Sequence, residues 1–369
     1  MVRKLSEFYE NLPKKLKDKG LGKVDPVYNK VAEGLNAKNS KFMPVILARL
    51  ITPEQARIAL ELPAPTEEIA EKLNLGKELI EKHLEDMKDK GLIVITRRGA
   101  RMVRSPLQFH DSATTNRRLD KELGDEYFDL WAAYQLEEHY PVLLEVIAGG
   151  ENPYSRLIPR YNAIKDMPGV LPFENLKEIF ESQETIALVP CPCKRCFRER
   201  DCGVDIDDAC INVGRTAQYN LSRGIGKEIT ADEVMKFLDE TDKLPLVHIA
   251  SNQRDVNVLL CNCHWDCCEL ILPMYRSDKY KIEQGVAPSR FMATVDPKKC
   301  QSCGKCVEIC QFDAAKMKYY PELGETRAYI DIEKCLGCGS CVVNCANEAR
   351  AMKIVRPPEY VPEEGPPPY

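Results

Sequence analysis

Residues 295–318, VDPKKCQSCGKCVEICQFDAAKMK, and residues 330–353, IDIEKCLGCGSCVVNCANEARAMK, are one pattern written twice at a constant offset of 35. The offset pairs Asp296 with Asp331, Gly304 with Gly339 and Met317 with Met352, and each copy carries four cysteines spaced C-x2-C-x2-C-x3-C. Thiolates are soft ligands, and four so close together supply the donors for a metal cluster. Three cysteines two residues apart wrap one face of such a cluster on a short loop. The fourth, four residues on, is expected to start a helix that points away. Each copy reads as a short strand, a ligand loop and a short helix. One such unit is too small to bury a core; two together form one.

Over roughly residues 291–355 the octet resembles the dicluster bacterial-type ferredoxins. The resemblance implies two [4Fe-4S] clusters with crossed ligation. Cys300, Cys303, Cys306 and Cys345 then hold the first, and Cys310, Cys335, Cys338 and Cys341 the second. One departure is visible: such ferredoxins usually place proline after the fourth cysteine, where this chain has Gln311 and Ala346. Tetrahedral zinc has no need of an interleaved octet.

The chain has 369 residues, 44% of them hydrophobic, enough for two or three globular domains. Seventeen cysteines exceed what packing needs, yet disulfide scaffolds are short, secreted and even in cysteine number. The N-terminal MVRKLSEFYENLPKKLKDKG lacks the apolar run of a signal peptide, and no apolar stretch approaches membrane-spanning length. A cytoplasmic protein with reduced thiolates and no membrane insertion is the expectation, and exposed clusters favour an anaerobe. A net charge of −5 and a pI near 5.8 offer no general attraction to nucleic acid.

The expected fold class is α+β and multidomain. An extension (1–41) precedes a winged-helix-like domain (42–105), a helical or irregular connecting segment (106–174) and a cysteine-rich α+β middle domain (175–290). The dicluster ferredoxin domain (291–355) and a Pro-rich tail (356–369) follow. In the second of these, Ile46, Leu47, Leu50, Ala56 and Leu60 fall on the apolar faces of two helices, and Thr66 is a candidate N-cap before Ile69, Ala70 and Leu73. Leu79, Ile80, Leu84 and Met87 share one face of a longer helix that Gly91 ends, and LIVIT-RRGA-RMVRS reads as a two-stranded wing. The pattern resembles winged helix-turn-helix domains of prokaryotic regulators. The candidate recognition helix sets Lys77, Lys82, Lys88 and Lys90 against Glu78, Glu81, Glu85, Asp86 and Asp89, and only the wing is basic. That balance argues against sequence-specific DNA binding.

Tyr127, Leu130, Trp131 and Tyr134 form an aromatic stripe read as core, and five prolines between 139 and 175 mark a linker or an irregular wrap. Beyond them a helix at 175–182 and a strand at 186–189 lead into CPCKRCFRERDCGVDIDDAC. A capping box at Thr230 and Glu233 opens a helix to about Thr241, and strands LVHIA and VNVLL follow, the second running into CNCHWDCC. Cysteines in two bunches at strand ends converge if these strands share one sheet with IALVP. The candidate ligands are Cys191, Cys193, Cys202, Cys210, Cys261, Cys263 and Cys267, with His264 able to replace a thiolate. Cys196 and Cys268 are the candidates for packing. A third iron–sulfur cluster is the leading reading; two further clusters, zinc, or a redox-active thiol pair are the alternatives.

The whole arrangement from Phe42 onward resembles a group of anaerobe iron–sulfur proteins that join a winged-helix segment, a C-P-C…C…C and C-N-C-C-type middle, and a dicluster ferredoxin. Where that group often has another cysteine this chain has His264. The resemblance implies electron transfer, here as a docked subunit relaying electrons at low potential to or from a partner, a multi-subunit oxidoreductase. Residues 291–353 hold nine Lys/Arg and eight Asp/Glu, a balance that fits a docked relay better than a freely diffusing, acidic carrier. The alternatives are an oxidoreductase with a cluster-based active site in the middle domain and a redox-responsive winged-helix regulator. There is no G-x-G-x-x-G after a strand and no Walker A sequence.

Overall fold

The computed structural model describes residues 5–199, 204 and 206–365. Helices Glu7–Lys19 and Val27–Gly34 lead into Met43–Leu50, Pro53–Glu61, Thr66–Leu73 and Lys77–Asp89, and then into a hairpin of β1 (Ile93–Thr96) and β2 (Gly99–Met102). Thr52 and Gln55 close a capping box on Pro53–Glu61. Thr66 is the first helical residue and not the cap: Pro65 holds the capping position without a side-chain bond, and Glu67 and Glu68 face the open amides. Gly91, at φ 83°, ends Lys77–Asp89, and a Cβ there would lie 2.6 Å from the backbone of Ser112. Only glycine meets both demands.

The core begun by Tyr9, Leu12 and Val31 continues through Phe42, Ile46, Ile80 and Phe109 to Trp131 and Leu143 without a break. The aromatic stripe is part of it: Tyr127, Leu130, Trp131 and Tyr134 are all buried on Asp120–Tyr134. That helix runs on through a π-helical turn, Gln135–His139, into Tyr140–Ala148. Among the described residues, no helix is long and apolar enough to cross a membrane.

The proline-punctuated segment is more than a linker. Pro153 and Pro159 bracket β3 (Ser155–Ile158), a fully buried strand in a seven-stranded sheet. The others are β4 (Ile186–Pro190), β5 (Asp208–Val213), β6 (Lys227–Glu228), β7 (Val247–Ser251), β8 (Leu259–Cys263) and β9 (Val286–Ala287), in the order β6-β4-β5-β8-β7-β3-β9. All neighbours are antiparallel except β3 and β9. A four-residue strand with arginine at its second position carries no alternating signature, so it reads as loop. Arg156 is buried there because carbonyls receive it: it donates to Gln253 O and Phe173 O, both at 2.9 Å. Helices Leu176–Glu181 and Ala231–Thr241 pack on the sheet through Leu176, Phe180, Val234 and Leu238. The second opens on the Thr230–Glu233 capping box that the sequence marks.

In the C-terminal module β10 (Phe291–Val295) pairs with β13 (Arg350–Ile354), and β11 (Ala315–Tyr320) with β12 (Glu325–Ile330). The short helices Lys305–Glu308 and Ser340–Val343 lie before the fourth cysteines, Cys310 and Cys345, and not after them. The third cysteine of each copy is therefore helical and the fourth follows the helix end. The tail lies against the loop after β7, with Arg254 N donating to Pro362 O at 2.9 Å.

Candidate metal centres

Strand order brings the middle cysteines together. Cys191 follows the last residue of β4, and its amide donates to Asp207 O at 2.7 Å. Cys210 on β5 stands opposite Cys261 on β8, and Cys263 falls two residues on, on the same face. The loop after β8 returns Cys268 to Cys263, Sγ to Sγ 3.1 Å. Cys191 neighbours Cys193, Cys210 neighbours Cys261, and Cys261 neighbours Cys263. The six thiols thus form two runs of neighbours, Cys191 with Cys193 and Cys210 through Cys261 and Cys263 to Cys268.

Five of them are among the seven cysteines singled out from sequence. Cys202 lies outside the described residues. Cys267 is turned so that its Sγ bonds His264 O at 3.8 Å, and with Cys196 it packs into the N-terminal core. Cys268, assigned to packing by the sequence reading, stands in the thiol group instead; its distance of five residues from Cys263 hides a tight return. His264 Nδ1 is held by Asp266 Oδ1 at 2.7 Å.

The electrostatics of the group favour a cation. The hydrogen bond from Cys193, with Lys194 nearby, brings Cys191 down to about 6. Sharing a proton with that thiolate pushes Cys193 well above the usual thiol range, and the bond with Cys261 does the same to Cys210. Six enclosed thiols cannot all ionise unless positive charge is supplied among them. Lys194 supplies some: it is 1% exposed and donates to Asn262 O at 2.7 Å. Burial opposes its charge, yet Cys191, Cys267, Cys263 and Cys193 raise it above the ordinary lysine value. A soft, multi-thiolate set around one buried ammonium fits an anionic metal–thiolate cluster.

In the C-terminal module Cys335, Cys338 and Cys341 share their electrostatic neighbourhood with Cys310, and Cys306 with Cys300 and Cys303. Cys345 packs with Cys300 and Cys306. Burial pushes Cys338 up to about 11. Gly339, at φ 79°, lets the second ligand loop approach the middle of the chain, where a Cβ would lie 2.7 Å from that of Ala163. Arg350, 6% exposed, reaches both groups: Nη2 donates to Cys306 Sγ at 2.9 Å, and Nη1 lies 3.7 Å from Cys341 Sγ. Nothing in the sequence pattern marks this arginine, because it stands opposite Ala315 in the repeat.

Gln311 joins the two regions. Its side chain donates to Pro245 O at 2.6 Å and Cys263 O at 3.0 Å, and accepts from Trp265 N at 2.7 Å. Its own carbonyl accepts from Tyr275 Oη at 2.5 Å. Proline at this position could make none of the three side-chain bonds. Cys263, Cys268, Cys310 and Cys338 also share one apolar cluster with Phe312 and Leu336.

A family model described as a 4Fe-4S dicluster domain matches residues 293–349, a span that contains all eight C-terminal cysteines. No curated protein and no solved structure matches the chain. The C-terminal part is therefore similar to ferredoxin-type dicluster domains within a mixed α and β chain, and the match supports an iron–sulfur electron-transfer role.

Proposed function

We propose that the chain is a docked iron–sulfur electron-transfer subunit whose ferredoxin module and middle sheet form one relay toward a partner oxidoreductase. Clusters held by thiolates supply one-electron transfer at low potential. Cys300, Cys303, Cys306 and Cys345 would form one ligand set, and Cys310, Cys335, Cys338 and Cys341 the other. A third set would come from Cys191, Cys193, Cys210, Cys261, Cys263 and Cys268.

Gln311 is the observation that carries the reading. It directly follows a ligand candidate of the ferredoxin module and hydrogen-bonds the backbone of a ligand candidate of the sheet. The bond fixes the spacing between the two groups, which an electron relay needs and two independent domains do not. The winged-helix-like region serves as scaffold in this reading. Lys77, Lys88 and Lys90 are paired with Glu67, Glu85 and Asp86 at 2.6, 3.2 and 2.8 Å, so the candidate recognition helix offers phosphates little positive charge and only the wing stays basic. Arg223 ties the end of the same helix to the body through Asp89 O and Ser112 O at 2.9 and 2.8 Å.

The test is iron and acid-labile sulfide per chain on anaerobically prepared full-length protein, with EPR after reduction. The relay predicts about twelve irons, and the ferredoxin module alone about eight. About eight irons with no third signal would remove the middle sheet from the relay.

A further inference from the structure

Beside the thiol group lies a second set of donors that the relay does not use. His110 on helix Pro106–Ala113 is 1% exposed and Glu269, directly after Cys268, is 3% exposed. His110 Nδ1 stands 3.1 Å from Asp111 Oδ1 and 3.2 Å from Glu269 Oε2. The three donor atoms lie within 4.8 Å of one another. Ligands of a tetrahedral ion with bonds of about 2.0–2.1 Å are about 3.3 Å apart, close to the two distances from Nδ1.

The other side of the imidazole decides which nitrogen faces the carboxylates as an acceptor. Cys196 Sγ is 3.4 Å and the Gln135 amide 3.2 Å from His110 Nε2. Gln135 is fully buried, and its Oε1 has no hydrogen-bond partner among the described residues. Rotating that amide by half a turn presents the oxygen to Nε2, which then carries the proton. Nδ1 faces two carboxylate oxygens and needs a cation between them, either a second proton, which Glu269 favours, or a metal ion. Such a trio is stable around a cation, and a dication makes the site electroneutral.

On the far side of Glu269, His139 Nε2 lies 3.1 Å from Oε1, within ion-pair distance. Gln135 and His139 are the two ends of the π-helical turn, a rare conformation concentrated at functional sites. We propose that His110 Nδ1, Asp111 and Glu269 bind one divalent first-row transition ion, with His139 a positioning residue that orients Glu269. Three protein donors leave coordination positions open for water or a substrate. The Asp111 side chain keeps 42% of its surface, which leaves the ion approachable on that side. The mixed imidazole and carboxylate set suits zinc, ferrous or manganous ion and excludes a second iron–sulfur cubane there.

The full chain, with its clusters assembled, is equilibrated with Zn2+, freed of excess and assayed for zinc, iron and sulfide. X-ray absorption at the zinc edge then reads the ligands. One zinc per chain in a nitrogen and oxygen shell, with sulfide unchanged, is the expected result. Asp111→Asn should lose that zinc, and His139→Gln should weaken its binding about 10- to 100-fold, the usual effect of removing an outer partner. Absence of retained zinc, a sulfur-bound zinc, or binding untouched by Asp111→Asn would each overturn the proposal and leave a proton on Nδ1 as the occupant. Because wild-type absorption is decisive by itself, poor folding of a variant does not shield the idea. The outcome is also independent of the iron count that tests the relay.

Discussion

Arg350→Gln is expected to lower the reduction potentials of both C-terminal clusters by about 100 mV, with both clusters still assembled. The guanidinium touches a cysteine sulfur of each thiol group, 2.9 Å from Cys306 and 3.7 Å from Cys341, and is 6% exposed. An added electron spreads over the cluster behind the sulfur, so about 6 Å is a fair mean separation from the charge. With an effective dielectric of about 20, Coulomb's law gives about 2.8 kcal/mol, or about 120 mV for one electron. At about 7 Å, for the group reached more loosely, the figure falls to about 100 mV. Solvent screening takes little from this because the side chain is buried. Glutamine keeps part of the hydrogen bonding and removes the charge, so the shift isolates the electrostatic part. The assay is an EPR-monitored redox titration of variant and wild type under identical salt. Shifts below about 20 mV for both clusters would refute the view that Arg350 sets their potential.

Cys345→Ser should disturb the cluster attributed to Cys300, Cys303 and Cys306 and spare the one attributed to Cys310, Cys335, Cys338 and Cys341; EPR of the reduced variant decides, and loss of only the latter would reverse the assignment. His248 gives a pH dependence. Burial, with the Arg160 guanidinium, brings it down to about 3 from an ordinary 6.5. The unfolded chain takes up a proton near pH 6.5 that the folded chain refuses, so the associated stability is intact above that pH. It falls by about 1.4 kcal/mol per pH unit as the pH drops toward 3. His248→Asn should flatten this slope in anaerobic denaturation between about pH 6.5 and pH 5, and an unchanged slope would show that other groups carry it.

Local chemistry was legible in the sequence. The duplicated octet, the capping box at Thr230 and Glu233, and the buried faces of Met43–Leu50 and, with Leu79 left exposed, of Lys77–Asp89 all depend on neighbours within a few turns of chain. IALVP and LVHIA do share one sheet, with β5 and β8 between them, but the strand read at VNVLL lies three residues later, at Leu259–Cys263, so Cys261 and Cys263 stand within it and not beyond its end. β3 was not legible, because four residues with a buried arginine look like loop until the carbonyls that receive Arg156 are known.

The sequence alone marked eight thiols at the C-terminus as ligand candidates, since their duplicated spacing is the one that a cluster-binding loop uses. Tertiary structure decided everything that depends on distant segments meeting. It placed Cys268 among the thiols, set Arg350 between two groups and spent Gln311 on the backbone of Cys263. It also brought His110 to Glu269, 159 positions along the chain. Ligand spacing within a loop is written in residue order. Contact between loops is set by strand order and by which buried polar groups find partners, and no local pattern encodes either.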